Sequence, residues 1–314
     1  MNMLKNEMRR FVKSKAFVVF LLLFTAISAL NLYANYDHAV SDYNHYKYDY
    51  ESYLSEGMTE EEIKAEIERG YTIDEEQTKT TFYSSKGIEN PLPYYIEATQ
   101  KDVNVFAPVN LLSLVIEPVI SIAVIFVTFL ASICVTDDIK NKTIRNHVLR
   151  YGKTKYILSK IVSTIMKNLL VVFITLILAY IAGHVIYSKL STDITGIDLT
   201  VTDINKSNYA VQILVLIAAV IFYSVIGVFL GIVFRKSYFC LIIVLIKSFL
   251  PFNFKYDISN VINHFMAKIY IFEGAFVHLQ QTEEMSDMMH LIPVGATALM
   301  IAFMLIFFKK RSAY

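Results

Sequence analysis

The chain has 314 residues, of which 55% are hydrophobic and only 18% are charged. This composition is too apolar for an ordinary soluble domain, and the apolar residues are bunched into long runs. The formal net charge of +1 gives no indication of a nucleic-acid partner, because the basic residues are spread among short loops. Both cysteines, Cys134 and Cys240, lie in or beside apolar runs, which argues against a disulfide framework and a metal site.

The first segment, residues 1–15, is predicted to form an amphipathic helix that lies flat at the membrane interface. The residues of its apolar face are Leu4, Met8, Phe11 and Val12. The alternative is a plain basic flank that only orients the segment that follows. Residues 16–36 are mostly apolar and long enough to cross about 30 Å of hydrocarbon, so they are predicted to be the first transmembrane helix.

Residues 37–108 are predicted to form a large helical insert on the extracellular side. A heptad-like stripe indicates that the first transmembrane helix continues outward as a stalk, and its members include Tyr43, Tyr46, Tyr50 and Tyr53. We favour packing within the insert as the role of this stripe, and a surface for an amphipathic ligand or a partner subunit is the alternative. A capping box of Thr59 and Glu62 predicts a second helix that ends at Gly70.

Residues 109–314 are predicted to contain five further transmembrane helices, which makes the chain an all-α integral membrane protein with six spans. The apolar runs lie at about 110–135, 163–187, 209–234, 238–252 and 290–308. The run at 238–252 is the shortest of them. Lysine and arginine are denser in the segments that this arrangement leaves inside, so both termini are predicted to be cytoplasmic.

Three charged residues fall within predicted spans, where an unpaired charge is costly. Lys167 is early in the third span, and its amino group is expected to extend to the inner surface. Glu117 and Lys247 are candidates for a polar translocation path, and Glu117 is expected either to face such a path near the outer side or to pair with Lys247. Residues 253–289 contain apolar stretches although the topology puts them outside. They are predicted to form either a partly re-entrant segment or an ordinary interfacial helix.

A short basic segment separates the second span from the third. A helix over 138–150 would place Ile144 and Val148 on one apolar face and is too short to cross a membrane, so it is predicted to act as a lever at the cytoplasmic surface. Gly152 and the two residues after it look like the end of a phosphate-binding loop. Such a loop needs another glycine at the position of His147, and the sequence therefore predicts no nucleotide site and no enzyme.

The layout and this segment resemble the permease subunit of an ABC transporter of the ABC-2 type, the class that includes bacitracin-resistance, lantibiotic-immunity and other peptide-exporting permeases. The family pattern is an acidic residue, Gly-Thr-hydrophobic-Arg, two hydrophobic residues and a turn. This chain has Asp138, then Lys142-Thr143-Ile144-Arg145, Val148-Leu149 and Tyr151-Gly152. It departs from the pattern at Lys142, where the family has glycine, and its turn is a few residues short.

The resemblance implies that this chain is half of an exporter in a bacterial plasma membrane. It would carry no cofactor itself, while two copies of a separate ABC ATPase bind ATP and Mg, and an identical or homologous permease completes the pathway. Contact with the ATPase is expected at Asp138, Thr143, Ile144, Arg145, Val148, Leu149, Arg150 and Gly152.

The expected substrate is a hydrophobic or amphipathic, antimicrobial-like peptide or a lipid-like compound, and membrane lipid is a further expected partner. The sequence also permits another class of function. In this alternative the chain is a membrane sensor whose extracellular insert binds a ligand and signals through the cytoplasmic loop. A sensor of this kind would work without an ATPase, and the two hypotheses therefore differ in a partner that can be purified.

Overall fold

The computed structural model describes residues 2–73, 88–249, 261, 264–266, 268–270 and 287–310. The described chain is almost entirely helical, with one two-residue strand pair in which Thr72 lies opposite Glu89. The elements are α1 (Asn2–Val12), α2 (Lys15–Ser55), α3 (Glu60–Arg69), β1 (Thr72–Ile73), β2 (Ile88–Glu89), α4 (Pro91–Val105), α5 (Leu111–Lys140), α6 (Thr143–Tyr151), α7 (Lys153–Asp193), α8 (Tyr209–Phe234), α9 (Ser237–Phe249) and α10 (Leu291–Lys310).

Five of the described helices are long and apolar enough to cross a membrane, namely α2, the Ile122–Lys140 part of α5, α7, α8 and α10. The chain is therefore an all-α protein with membrane-spanning helices. The described part of the predicted span at 238–252 is α9, whose 13 residues extend only about 20 Å at 1.5 Å per residue. Most of the predicted re-entrant segment, 253–289, lies outside the described residues.

The amphipathic helix predicted at the N-terminus ends at Val12, and α2 begins at Lys15. Ser14 makes the junction, because its Oγ donates to the carbonyl oxygen of Phe11 at 2.6 Å and accepts from the backbone N–H of Phe17 at 3.2 Å. The second bond satisfies one of the free N–H groups at the start of α2. From there α2 continues through the first apolar run to Ser55 without a break, as the stalk prediction required.

Packing divides the chain into two units. The first comprises Met1–Ala29, Val115–Ala179 and Asn205–Tyr314, and the second comprises Leu30–Leu114 and Tyr180–Ile204. The first unit contains a buried core that joins α5, α6, α7, α8 and α10. The residues of this core are Ala131, Val135, Ile144, Tyr156, Ile157, Ile161, Val225, Val228, Ile232, Met304 and Phe308.

Helices α5 and α8 approach each other very closely within the first unit. A Cβ atom at Gly227 would collide with the carbonyl oxygen of Thr128 and would lie 2.6 Å from the Cβ of Ala131. At Gly231, one turn later, an added Cβ would lie 3.1 Å from the carbonyl oxygen of Ser132. Small residues at such positions let two membrane helices come into backbone contact.

In the second unit, side chains from α4 and from the turn after it form hydrogen bonds with a non-helical connection, residues 194–204. The amide of Asn104 accepts from the backbone N–H of Thr202 at 3.0 Å and donates to its carbonyl oxygen at 3.0 Å. Asn110 donates to the same carbonyl oxygen at 2.8 Å and accepts from the N–H of Ile204 at 3.1 Å. These bonds satisfy backbone groups that have no ladder or helix partner.

The tyrosine stripe packs within this second unit. Tyr43 and Tyr46 are only 6% and 7% exposed, and their rings stack with centroids 6.2 Å apart. The hydroxyl of Tyr43 accepts from the backbone N–H of Thr195 at 2.9 Å. Tyr50 and Tyr53 are half-buried. The structure therefore supports intramolecular packing for Tyr43 and Tyr46, with Tyr43 in contact with Thr195 outside the insert, and the alternative of a ligand or partner surface stays a prediction.

The capping box is present as predicted, since the Thr59 side chain accepts from the N–H of Glu62 and the Glu62 carboxylate accepts from the N–H of Thr59 at 2.8 Å. The helix that it starts ends at Arg69, with Gly70 as its C-cap at φ 78°. A left-handed backbone of this kind favours glycine because a Cβ would be strained there.

Among the described carboxyl groups of the second unit, that of Asp102 on α4 has the most strongly raised pKa. Burial raises its pKa, and the neighbouring carboxylate of Asp42 raises it further, to about 6, although His38 and Lys101 act in the opposite direction. The pKa in the unfolded chain is near the ordinary 3.8. The folded state therefore binds this proton more tightly, and stability falls as the pH rises from about 4 to about 6.

We expect Asp102→Asn to raise the unfolding midpoint at pH 7.5 and to have little effect at pH 4, because the amide removes a charge that costs on the order of 1–3 kcal/mol when buried. Thermal unfolding of the purified chain in detergent, followed by tyrosine circular dichroism at both pH values, measures this. The matched control is Asp198→Asn, at an exposed position of the same unit. Equal midpoints for Asp102→Asn and the wild type at both pH values would contradict the assignment.

Candidate functional site

The segment predicted to be a lever contains a separate short helix, α6, between the ends of two membrane-spanning helices. It begins later than predicted, because residues 138–140 still belong to α5 and the chain reverses at 141–142. Lys142 adopts a left-handed conformation, with φ 55°, at the start of α6, and Gly152 has φ 80° at its end. These two reversals lie ten positions apart and bound α6 as a separate helix of nine residues, or about two and a half turns.

The two sides of α6 have different environments. Ile144 is 5% exposed and belongs to the buried core, and Val148 packs partly against it. Leu149 is 71% exposed, and Arg145 and Arg150 are exposed beside it. Ile144 therefore fastens α6 to this chain, whereas the side chain of Leu149 is exposed on the other side of the helix.

Asp138 joins three helices inside the chain. Its Oδ2 accepts a hydrogen bond from the hydroxyl of Tyr156 at 2.9 Å and lies 2.8 Å from Nζ of Lys160, both on α7. The hydroxyl of Thr143, the first residue of α6, donates to the carbonyl oxygen of Asp138 at 3.3 Å. Asp138 and Thr143 were predicted to contact an ATPase. In the structure, their contacts within the chain join the ends of α5, α6 and α7 to one another.

Glu7 of α1 is a site residue that the sequence analysis missed. Its carboxylate lies 2.9 Å from Nζ of Lys167 and 3.4 Å from Nζ of Lys160, and it accepts from the hydroxyl of Ser163 at 2.7 Å. The side chains of Lys160 and Lys167 are only 5% and 7% exposed. Lys167 is therefore paired inside the protein with a residue of α1, a partner that the sequence analysis did not predict.

The electrostatic surroundings of Glu7 keep it ionised. Burial raises the pKa of its carboxyl group, but the positive charges of Lys160 and Lys167 and the hydrogen bonds from Lys167 and Ser163 outweigh that effect, so the pKa lies below its ordinary value. A carboxylate held in this way stabilises the two buried ammonium groups around it. Three basic or polar residues on one face of α7 thus converge on one acid of α1.

The face of α1 that contacts the bundle differs slightly from the predicted apolar face. Phe11 is 6% exposed, its ring meets that of Phe17 edge-on at 5.4 Å, and Leu4 and Met8 are half-buried. Val12 is 46% exposed and lies on another side. An acid on the otherwise apolar side of α1 was the available signal for Glu7, because a charge at such a position requires a buried partner.

The candidates for a translocation path are less well defined. Glu117 is 4% exposed within α5, and Pro118 lies inside this helix rather than at its start. The side chain of Lys247 lies outside the described part of the structure, so the predicted pairing with Glu117 stays a prediction. Among the described residues, no group of three or more His, Cys, Asp or Glu side chains is placed to hold a metal ion.

Four helices of the first unit enclose a cavity beside the ion pairs. Its volume is about 350 Å³, and it is lined by residues of α1, α5, α6 and α7 together with Ala16 at the start of α2. His147 of α6 is at its wall, where the imidazole stacks on the ring of Tyr151 at 6.4 Å.

No protein-family model, curated protein or solved structure matches this chain. Function must therefore be inferred from the residues and contacts of the molecule itself. Three features of the first unit bear on function. They are the short helix α6 with its exposed Leu149, the buried ionic network that fastens α1, and the cavity lined by charged residues beside them.

Proposed function

We propose that this chain is the permease subunit of an ATP-driven exporter of the ABC-2 type, and that α6 is the helix on which a separate ATPase acts. The observation that carries the proposal is the exposed Leu149 on a short helix whose opposite side is buried between two membrane-spanning helices. An exposed leucine flanked by two arginines suits a protein interface, in which apolar anchors and arginine are frequent.

The attachment of α6 suits it to transmit a movement. Ile144 is packed into the core, and Asp138 ties the end of α5 to Tyr156 and Lys160 of α7. Force applied to α6 would therefore pass to α5 and α7 without first bending a loop. Rigid-body displacement of helices is a common means of coupling two sites.

The remaining parts of the proposal extend the same reasoning. ATP and Mg bind to two copies of the ATPase, and a second permease, identical or homologous, completes the pathway. Residues 37–108 contain sixteen acidic and six basic residues, which suits attraction of cationic amphipathic peptides. We therefore propose export of hydrophobic or amphipathic, antimicrobial-like peptides across a bacterial plasma membrane, with both termini in the cytoplasm.

The test is Leu149→Asp in the chain expressed with its neighbouring genes and purified in mild detergent. If Leu149 is an interface anchor, its loss is expected to cost at least about 2 kcal/mol, or roughly thirty-fold in affinity. The co-purified ATPase should then disappear, and protection against the exported peptides should be lost while the amount of inserted chain is unchanged.

The control variant is Tyr48→Asp, because Tyr48 is 73% exposed, close to the 71% of Leu149, and lies in the second unit. It removes an equally exposed large side chain and adds the same charge, and it should leave ATPase binding intact. Normal ATPase recovery with Leu149→Asp would refute the role of α6. A wild-type chain that purifies alone under several mild conditions would instead favour the sensor hypothesis.

A further inference from the structure

The cavity of the first unit has a charge excess that the ionic network does not neutralise. Seven charged side chains of the described residues line it, and four of these, Glu7, Asp138, Lys160 and Lys167, pair with one another. The other three are Arg10, Arg150 and Asp137. The cavity is therefore left with two guanidinium groups against one carboxylate.

Two arginines that line the cavity are available to bind an anion. Arg10 of α1 and Arg150 of α6 are both exposed side chains, and neither forms an ion pair with any residue in the described part of the chain. The guanidinium of Arg150 lies over the ring of Tyr151 at 5.4 Å, which restricts its orientation. Planar guanidinium groups bind phosphate oxygens through paired N–H donors.

Apolar residues of a helix that is long and apolar enough to span a membrane also line the cavity. Leu130, Ile133 and Cys134 line it from α5, and this helix ends at Lys140. Leu130 is ten residues before that end, or about 15 Å along the axis at 1.5 Å per residue. The cavity thus combines two guanidinium groups, without an ion-pair partner among the described residues, with an apolar lining from a helix that is long and apolar enough to span a membrane. This combination suits an amphipathic anion better than a water-soluble one.

We propose that this cavity binds the phosphate-bearing headgroup of an anionic phospholipid. Arg10 and Arg150 contact the phosphate, and the apolar lining from α5 takes the glycerol end of the lipid. The volume of about 350 Å³ is many times the roughly 10–15 Å³ that one water molecule needs, and is enough for a headgroup. Basic pockets between membrane helices are known to hold anionic lipid headgroups. This inference does not depend on the proposed transport function.

The consequence of such binding concerns α1 and α6 together. Arg10 belongs to α1 and Arg150 to α6, so one phosphate between them would join α6 directly to α1, which the ion pairs of Glu7 already fasten to α7. The lipid would then stabilise the folded first unit, because a ligand that binds only the folded state raises its stability by mass action.

The experiment is a lipid titration of the full chain, purified and delipidated in mild detergent, with the unfolding midpoint as the readout. Dioleoyl phosphatidylglycerol is expected to raise the midpoint, and dioleoyl phosphatidylcholine is not. Arg10→Gln and Arg150→Gln should each weaken the apparent affinity for phosphatidylglycerol about ten-fold, since each removes a charge-assisted contact. Arg9→Gln is the matched control, because Arg9 is an exposed neighbour that does not line the cavity.

Three results would overturn the proposal. One is an unchanged affinity in both Arg10→Gln and Arg150→Gln, and another is an equal loss with Arg9→Gln, which would show general attraction to a basic surface. The third is an equal midpoint shift with inorganic phosphate or free glycerol phosphate at the same concentration. That result would assign the site to a soluble anion instead of a lipid.

Discussion

Replacing Glu7 by glutamine is expected to lower the free energy of unfolding of the chain by about 3–5 kcal/mol, the usual cost of removing one member of a buried ion pair. Lys167, only 7% exposed, would keep its charge in a buried position with its 2.9 Å partner gone. Lys160 would retain Asp138 at 2.8 Å, so the loss falls mainly on Lys167. The midpoint of thermal or denaturant unfolding in detergent measures the effect.

A double variant separates the ion pair from other effects of the substitution. Glu7→Gln combined with Lys167→Met removes both charges, and its stability should exceed that of Glu7→Gln alone by about 1–3 kcal/mol. The surface comparison is Glu66→Gln, whose partner Arg69 is 70% exposed at 3.4 Å, and which should cost about 0.5 kcal/mol or less. Equal costs for Glu7→Gln and Glu66→Gln would refute the buried network.

The sign of the pH dependence provides another check on Glu7. Its folded pKa lies below the ordinary 4.5, so its contribution to stability is fully present above that value and is lost as the pH falls through the folded pKa. The difference between wild type and Glu7→Gln should therefore be constant from pH 6 to pH 8 and should shrink in acid. Asp102 behaves in the opposite way, because its folded pKa is raised.

Gly227→Ala is expected to have the second large effect, a loss of about 3 kcal/mol or more, which is the upper range for overpacking. The added methyl group would collide with the carbonyl oxygen of Thr128, which is backbone and cannot rotate away as a side chain would. Helices α5 and α8 would have to separate, with loss of packing along their whole contact. Unfolding midpoints of the purified chain, together with the yield of folded protein, would report this loss.

Alanine substitutions at two other glycines of the same unit serve as comparisons for the stability loss in Gly227→Ala. Gly231→Ala places a Cβ 3.1 Å from a carbonyl oxygen, a contact that a small shift relieves, and should be milder than Gly227→Ala. Gly295→Ala meets no atom within 4 Å and should stabilise α10 by up to about 1 kcal/mol through helix propensity. A cost for Gly227→Ala no greater than that of Gly231→Ala would show that the two helices are not in such close contact.

The features that the sequence predicted correctly are local ones. Apolar periodicity places helices at α1 and α6, and the capping box of Thr59 and Glu62 gives the start of α3. Each of these depends on residues within a few positions of one another, where spacing alone determines which side chains meet. The boundary error at residue 138 arises because periodicity continues smoothly from α5, while the break is made by the backbone at Lys142.

The parts of the candidate site that the sequence did not predict depend on distant contacts. Glu7 and Lys167 are 160 positions apart, and their pairing is set by how α1 packs on α7. Ile144 and Leu149 are both apolar residues of one short helix, and only the position of the neighbouring helices makes the first buried and the second exposed. A single sequence gives the faces of a helix but not the surface that each face meets.

The second unit is discontinuous in the chain, and this has a consequence for the order of its synthesis. Its two pieces, Leu30–Leu114 and Tyr180–Ile204, are separated by roughly 65 residues of the first unit. At about 5–20 residues per second, translation of that interval takes on the order of 3–13 seconds. Throughout this time Asn104, Asn110 and Tyr43 have been made but their partners Thr195, Thr202 and Ile204 have not. The second unit is therefore incomplete while most of α5, α6 and the first part of α7 are synthesised, and its hydrogen bonds to Thr195, Thr202 and Ile204 can form only after those residues have been made.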